Sequence, residues 1–80
     1  MNIEKMAEFL RSLREDKGLT QDQLGDMLNV SRSLVSKWEH ASKIPAVDCL
    51  MSLSKIYDIT IDEIIYGERK NTKNAQDIES

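Results

Sequence analysis

Eighty residues contain a single cysteine, Cys49, and a single histidine, His40. An intramolecular disulfide is therefore impossible, and no zinc-ligand spacing exists. No glycine-rich phosphate loop is present. Ser31, Ser33 and Ser36 lack the His/Asp arrangement that would activate a nucleophile. Asp62 and Glu63, the most conspicuous carboxylate pair in the second half, read as the acidic first turn of a helix. No enzymatic chemistry, metal or cofactor is expected. No stretch approaches the roughly 18 apolar residues of a membrane span. The opening MNIEKMAEFLRSLRE has charges every few residues and no apolar core, unlike a secretory signal. These absences leave a soluble, reduced, cytoplasmic domain, too small for more than one core.

A basic excess is lacking too: the net charge is −3, which argues against wholesale polyanion binding. The charge is uneven. Residues 1–45 balance seven Lys/Arg (Lys5, Arg11, Arg14, Lys17, Arg32, Lys37, Lys43) against seven Asp/Glu, whereas residues 46–80 hold four against seven. A local basic face in the first half remains open, because the field over a patch is what a ligand meets.

Apolar residues recur at helical spacing, and no stretch alternates with period two. Ile3, Met6, Phe9, Leu10 and Leu13 predict a first helix to about Lys17, stopped by Gly18. Thr20-Gln21-Asp22-Gln23 is a capping-box pattern opening a second helix with Leu24 and Leu28 inward. Asn29 suits a left-handed turn, and Ser31 can cap a third helix through about Glu39. Residues 40–46 read as a loop, with Pro45 suited to the first turn of a fourth helix from Val47 to Tyr57. Thr60-Ile61-Asp62-Glu63 opens a fifth helix that Gly67 ends. The expectation is an all-α domain of five helices over residues 1–67, followed by a polar, disordered tail over 68–80.

The third helix has two faces. On a wheel, Leu34, Val35 and Trp38 form a core stripe, while Arg32, Ser33, Ser36, Lys37 and His40 point outward with no carboxylate among them. By itself this could be an ordinary solvated surface. Gly25 changes the reading: mid-helix it costs about 1 kcal/mol relative to alanine, which makes sense if another backbone approaches closely there. Two helices crossing steeply over a tight turn, the second with a free polar face, is the helix-turn-helix arrangement.

From about Met6 to Gly67 the sequence resembles the Cro/lambda-repressor-like (Xre-type) helix-turn-helix family. The resemblance is carried by LRSLREDKGLTQDQLGDMLNVSRSLVSKWE, Pro45 and LSKIYDITIDEII. It implies a compact five-helix fold and a sequence-specific transcriptional regulator, most simply a repressor, bound as a homodimer to an inverted-repeat double-stranded DNA operator. By position, Arg32, Ser33, Ser36 and Lys37 match the base-reading residues of helix three. Gln21 and Ser31, at two helix N-termini, match phosphate contacts, and His40, Ser42 and Lys43 match the loop that grips the backbone. Arg14 and Glu39 match a structural ion pair. Ala41 stands where relatives usually carry glycine, which leaves the loop free to take a different path. The apolar remainder of the fifth helix (Ile61, Ile65, Tyr66) is the expected dimer surface. The alternative function is a protein-interaction module, such as an antitoxin or accessory subunit, whose acidic second half binds a partner.

Overall fold

The computed structural model describes residues 1–70, so most of the expected tail, residues 71–80, lies outside the described residues. Among the described residues the regular elements are five helices: α1 (Ile3–Asp16), α2 (Gln21–Leu28), α3 (Arg32–Glu39), α4 (Val47–Tyr57) and α5 (Ile61–Tyr66).

Each boundary has a chemical cause. Asn2 caps α1, its Oδ1 accepting from the Lys5 N–H at 3.0 Å. Thr20 and Thr60 each complete a reciprocal capping box with the residue three positions on, Gln23 and Glu63. Ser31 Oγ accepts from the Leu34 N–H at 3.0 Å. The Glu63 carboxyl is held below the usual carboxylate range, chiefly by the backbone N–H of Thr60 and then by that of Lys70. Its contribution to the α5 cap is thus complete above the ordinary carboxyl pKa and is lost as pH falls through the lowered one. Asn29 takes the expected left-handed conformation at φ +60°, and Asp58 does the same between α4 and α5. The position of Pro45 differs from expectation. Ala46 is the N-cap of α4, so Pro45 precedes the helix instead of entering its first turn, and its ring is buried.

Periodicity places the core as expected. Met6, Val35, Leu53 and Ile64, from four different helices, are almost completely buried. Trp38 is buried as well, a core residue and not a reader. Of the apolar α5 residues expected at a dimer surface, Ile61 and Ile65 are half-buried, and Tyr66 alone is well exposed. Lys70 extends its ammonium over the Tyr66 ring, 4.9 Å from the centroid.

Gly67 closes the bundle. Its φ is +77°, and a Cβ built there would lie 2.8 Å from the Lys5 carbonyl carbon and 2.9 Å from its oxygen. Gly67→Ala therefore meets both a left-handed penalty of about 1 kcal/mol and a clash with the backbone of α1. We expect a loss of about 2 kcal/mol, a drop in Tm of roughly 10 °C, measured by thermal unfolding. A change within about 1 °C would mean that α5 can leave α1 without cost.

Candidate nucleic-acid interface

The interface begins with how α2 and α3 meet. A Cβ on Gly25 would sit 2.8 Å from the Val30 carbonyl oxygen, while the Val30 N–H donates to the Gly25 carbonyl at 2.9 Å. The close neighbour foreseen in the sequence is thus the turn itself, and not the body of another helix. With no side chain in the way, the chain folds directly back over α2, and α3 leaves with Val35 and Trp38 inward.

What remains outside on α3 is polar. Arg32, Ser33 and Lys37 are exposed. Arg32, Ser33 and Ser36 line one open notch, and Arg32 also borders a cleft shared with Thr20, Gln21 and Asp22 at the start of α2. Ser36 departs from a simple outward position. It is half-buried, its carbonyl accepts from His40 Nδ1 at 2.8 Å, and its Oγ lies 3.3 Å from the same nitrogen. Because only a ring N–H can donate to a carbonyl, the proton of this contact is on Nδ1.

The one carboxylate of α3 is withdrawn from this face. Glu39 is 3% exposed at its side chain and takes a two-pronged hydrogen bond from Arg14, Nε to Oε2 at 2.7 Å and Nη2 to Oε1 at 3.0 Å. This bond holds the Arg14 guanidinium above its ordinary pKa. Arg14 Nη1 also donates to the Leu19 carbonyl at 2.8 Å. The expected pair thus exists, and a third member was missed in the sequence: Gln21 Nε2 donates to Glu39 Oε1 at 3.1 Å. The half-buried Gln21 side chain thus commits an amide N–H to Glu39, and Gln21 is also the first residue of α2. Nearby, the Tyr57 hydroxyl is buried with no hydrogen-bond partner among the described residues. Burial, and secondarily the charge of Glu39, pushes it up to about 12.

His40, Ser42 and Lys43 are exposed on the loop after α3. The Ser42 and Lys43 N–H groups both turn back to the Lys37 carbonyl, at 2.9 and 3.3 Å. That closure forces Ala41 to φ +59°. At this position, where the resemblance leads one to expect glycine, alanine itself adopts the left-handed conformation and bears its strain. Ala41→Gly should relieve about 1–2 kcal/mol of steric cost and forfeit about 0.4–1 kcal/mol through a freer unfolded chain. We expect a net gain of about 0.5–1 kcal/mol in urea unfolding; a loss of stability would rule out strain at this position.

Comparison with known proteins points the same way. Residues 10–64 match the helix-turn-helix family model. The HTH-type transcriptional activator BcrR of Enterococcus faecalis is 46% identical over 61 residues, 76% of this chain but 30% of that protein. Repressor protein C2 of Salmonella phage P22 is 32% identical over 75 residues, 94% of this chain and 35% of that protein. The chain thus spans about a third of the length of these two relatives. The crystal structure of the P22 c2 repressor in complex with a synthetic operator aligns at a TM-score of 0.74 and 32% identity, over 79% of this chain and 96% of that one. Hydroxypropylphosphonic acid epoxidase from S. wedmorenis, at 19% identity, TM-score 0.69 and 33% of its chain, shares the fold alone.

Proposed function

This chain belongs to the helix-turn-helix family of transcriptional regulators, and from that membership we propose that it binds double-stranded operator DNA and represses transcription in the cytoplasm, with no enzymatic activity of its own. The observation that carries the reading is the outward side of α3, which offers two cations and hydroxyl groups while its single carboxylate is neutralised by Arg14 on the inside.

α3 lies in the major groove. Arg32 and Lys37 donate to guanine O6 and N7, and the hydroxyls of Ser33 and Ser36 add weaker, base-tolerant contacts. The main-chain N–H of Gln21 and the start of α3 at Ser31 hold phosphates, as helix N-termini favour anions. His40, Ser42 and Lys43 grip the backbone on the other side of the groove. Two copies occupy an inverted repeat with half-sites about 34 Å apart, one helical turn.

The test is selection of bound duplexes from random DNA. A recovered inverted repeat with half-site centres about 10 base pairs apart is the expected result. Recovery of no preferred sequence, with binding to a protein partner instead, would favour the interaction-module reading.

A further inference from the structure

The histidine that ends α3 has one ring nitrogen already committed. His40 is the C-cap of the helix, and its main-chain N–H donates to the Ser36 carbonyl at 3.0 Å. The same carbonyl accepts from Nδ1 at 2.8 Å, whereas the Ser36 hydroxyl is 3.3 Å from that nitrogen. A neutral imidazole carries one N–H, so with the proton on Nδ1 the other nitrogen, Nε2, has only a lone pair to offer. Moving the proton to Nε2 would set the Nδ1 lone pair against the Ser36 carbonyl. The residue is exposed and borders a cleft with Arg11, Arg14, Gln21 and Glu39.

We propose that His40 holds a DNA backbone phosphate only as the imidazolium, so that operator binding takes up a proton from solvent at each copy. This rests on the DNA reading, which supplies the phosphate. A backbone phosphodiester is ionised and has no proton to give, so its oxygen and the Nε2 lone pair of a neutral ring repel. Protonation turns Nε2 into a charged donor and leaves the Nδ1–H bond to Ser36 in place. The surroundings are divided. Arg11 and Arg14 from α1, and Lys37 one helical turn before His40, oppose a further positive charge. Glu39 favours it, but its carboxylate is already bound to Arg14, and α2 contributes only the uncharged Gln21. Arg11 in turn is drawn to Glu15 at 3.2 Å. The C-terminal end of the α3 dipole favours a cation. A phosphate in contact with Nε2 adds the anion that tips this balance. His40 is the only histidine in the chain, so among the loop contacts its charge alone is conditional near neutral pH.

Linkage fixes the sign. A base whose pKa is raised by a ligand binds that ligand more tightly as pH falls, and loses the gain as pH rises through the raised value. Imidazoles change charge between about pH 5 and 8. An opposite charge in contact raises such a pKa by about one unit or more. A one-unit rise limits the gain to about tenfold per copy, of which about fivefold falls between pH 8 and pH 6.

Titration of the full chain against the selected duplex at fixed salt, at pH 6, 7 and 8, tests it. Affinity should rise about fivefold per bound copy from pH 8 to pH 6. Calorimetry at pH 7 in two buffers of different ionisation enthalpy should show uptake of about half a proton per copy. His40→Gln keeps a neutral donor; it should flatten the pH profile to within about twofold and remove the buffer dependence. Nitrogen-15 NMR of the free chain above the imidazole range should find the His40 proton on Nδ1 and Nε2 bare. Equal affinity at pH 6 and pH 8, a pH profile that survives His40→Gln, or a proton on Nε2 in the free chain would each overturn the proposal. Continued binding to the duplex would in those cases leave the DNA reading standing. Binding to no duplex at any of the three pH values would sink the DNA reading, and the proton linkage with it.

Discussion

Replacing Arg32 and Lys37 together by alanine is expected to abolish discrimination between the selected operator and unrelated DNA, with Tm changed by no more than about 2 °C. Both side chains are exposed and neither enters a salt bridge among the described residues, so little folding energy depends on them. A well-formed pair to guanine contributes about 1–3 kcal/mol of discrimination. Losing both therefore removes roughly 2–6 kcal/mol per copy, a factor of at least about 30 in specificity. The measurement is a competition titration of operator against scrambled duplex at fixed salt. Lys43→Ala is the control, because a phosphate contact should weaken all sequences about equally and reduce the salt slope by about one. Undiminished discrimination in the double variant would remove α3 from the reading role.

The features legible in the sequence are those set by neighbours along the chain. Thr20 with Gln23, Thr60 with Glu63, Ser31 before Leu34, and the left-handed Asn29 follow from local hydrogen-bond chemistry, and their expected geometry is present. Gly25 was readable because an unfavourable residue in a helix asks for a reason. The features not legible depend on three-dimensional closure. Gln21 and Glu39 are 18 positions apart, and nothing local assigns the amide to the carboxylate rather than to a phosphate. Ala41 has a side chain that normally avoids positive φ. Two hydrogen bonds converging on the Lys37 carbonyl impose that conformation, and neither is visible as a residue pattern. Ile61 and Ile65 read as spare apolar surface only because a helical wheel does not show how closely α5 lies on the bundle. The reading roles of Arg32, Ser33, Ser36 and Lys37 came from the family resemblance. The structure adds the exposure of Arg32, Ser33 and Lys37, and in Ser36 a hydroxyl half-buried beside His40.

The largest effect on stability is expected at Glu39. Glu39→Ala leaves the Arg14 guanidinium, 12% exposed at its side chain, without its anion, and also removes the acceptor of Gln21. Breaking a buried pair from one side costs about 3–5 kcal/mol. A domain of this length has roughly 4–12 kcal/mol in all, so the variant should be substantially unfolded near 37 °C. Urea unfolding followed through Trp38, the single tryptophan and a buried one, reports this directly; a loss below about 1 kcal/mol would mean that Arg14 finds other partners at no cost. Removing both charges separates stability from geometry. Arg14→Met combined with Glu39→Leu leaves no unpaired ion, and such apolar replacements are often neutral or stabilising, so most of the lost stability should return. The directional bonds would not return. Arg14 and Gln21 both converge on Glu39, which ties the start of α2, proposed to hold phosphate, to the end of α3, proposed to read bases. Without that link the two helices keep their packing at Gly25 and lose a fixed register at the DNA side. The apolar double variant is therefore expected to fold stably and bind the operator about tenfold more weakly. Parental operator affinity in a stable double variant would show that packing at Gly25 and Val30 suffices to align the interface.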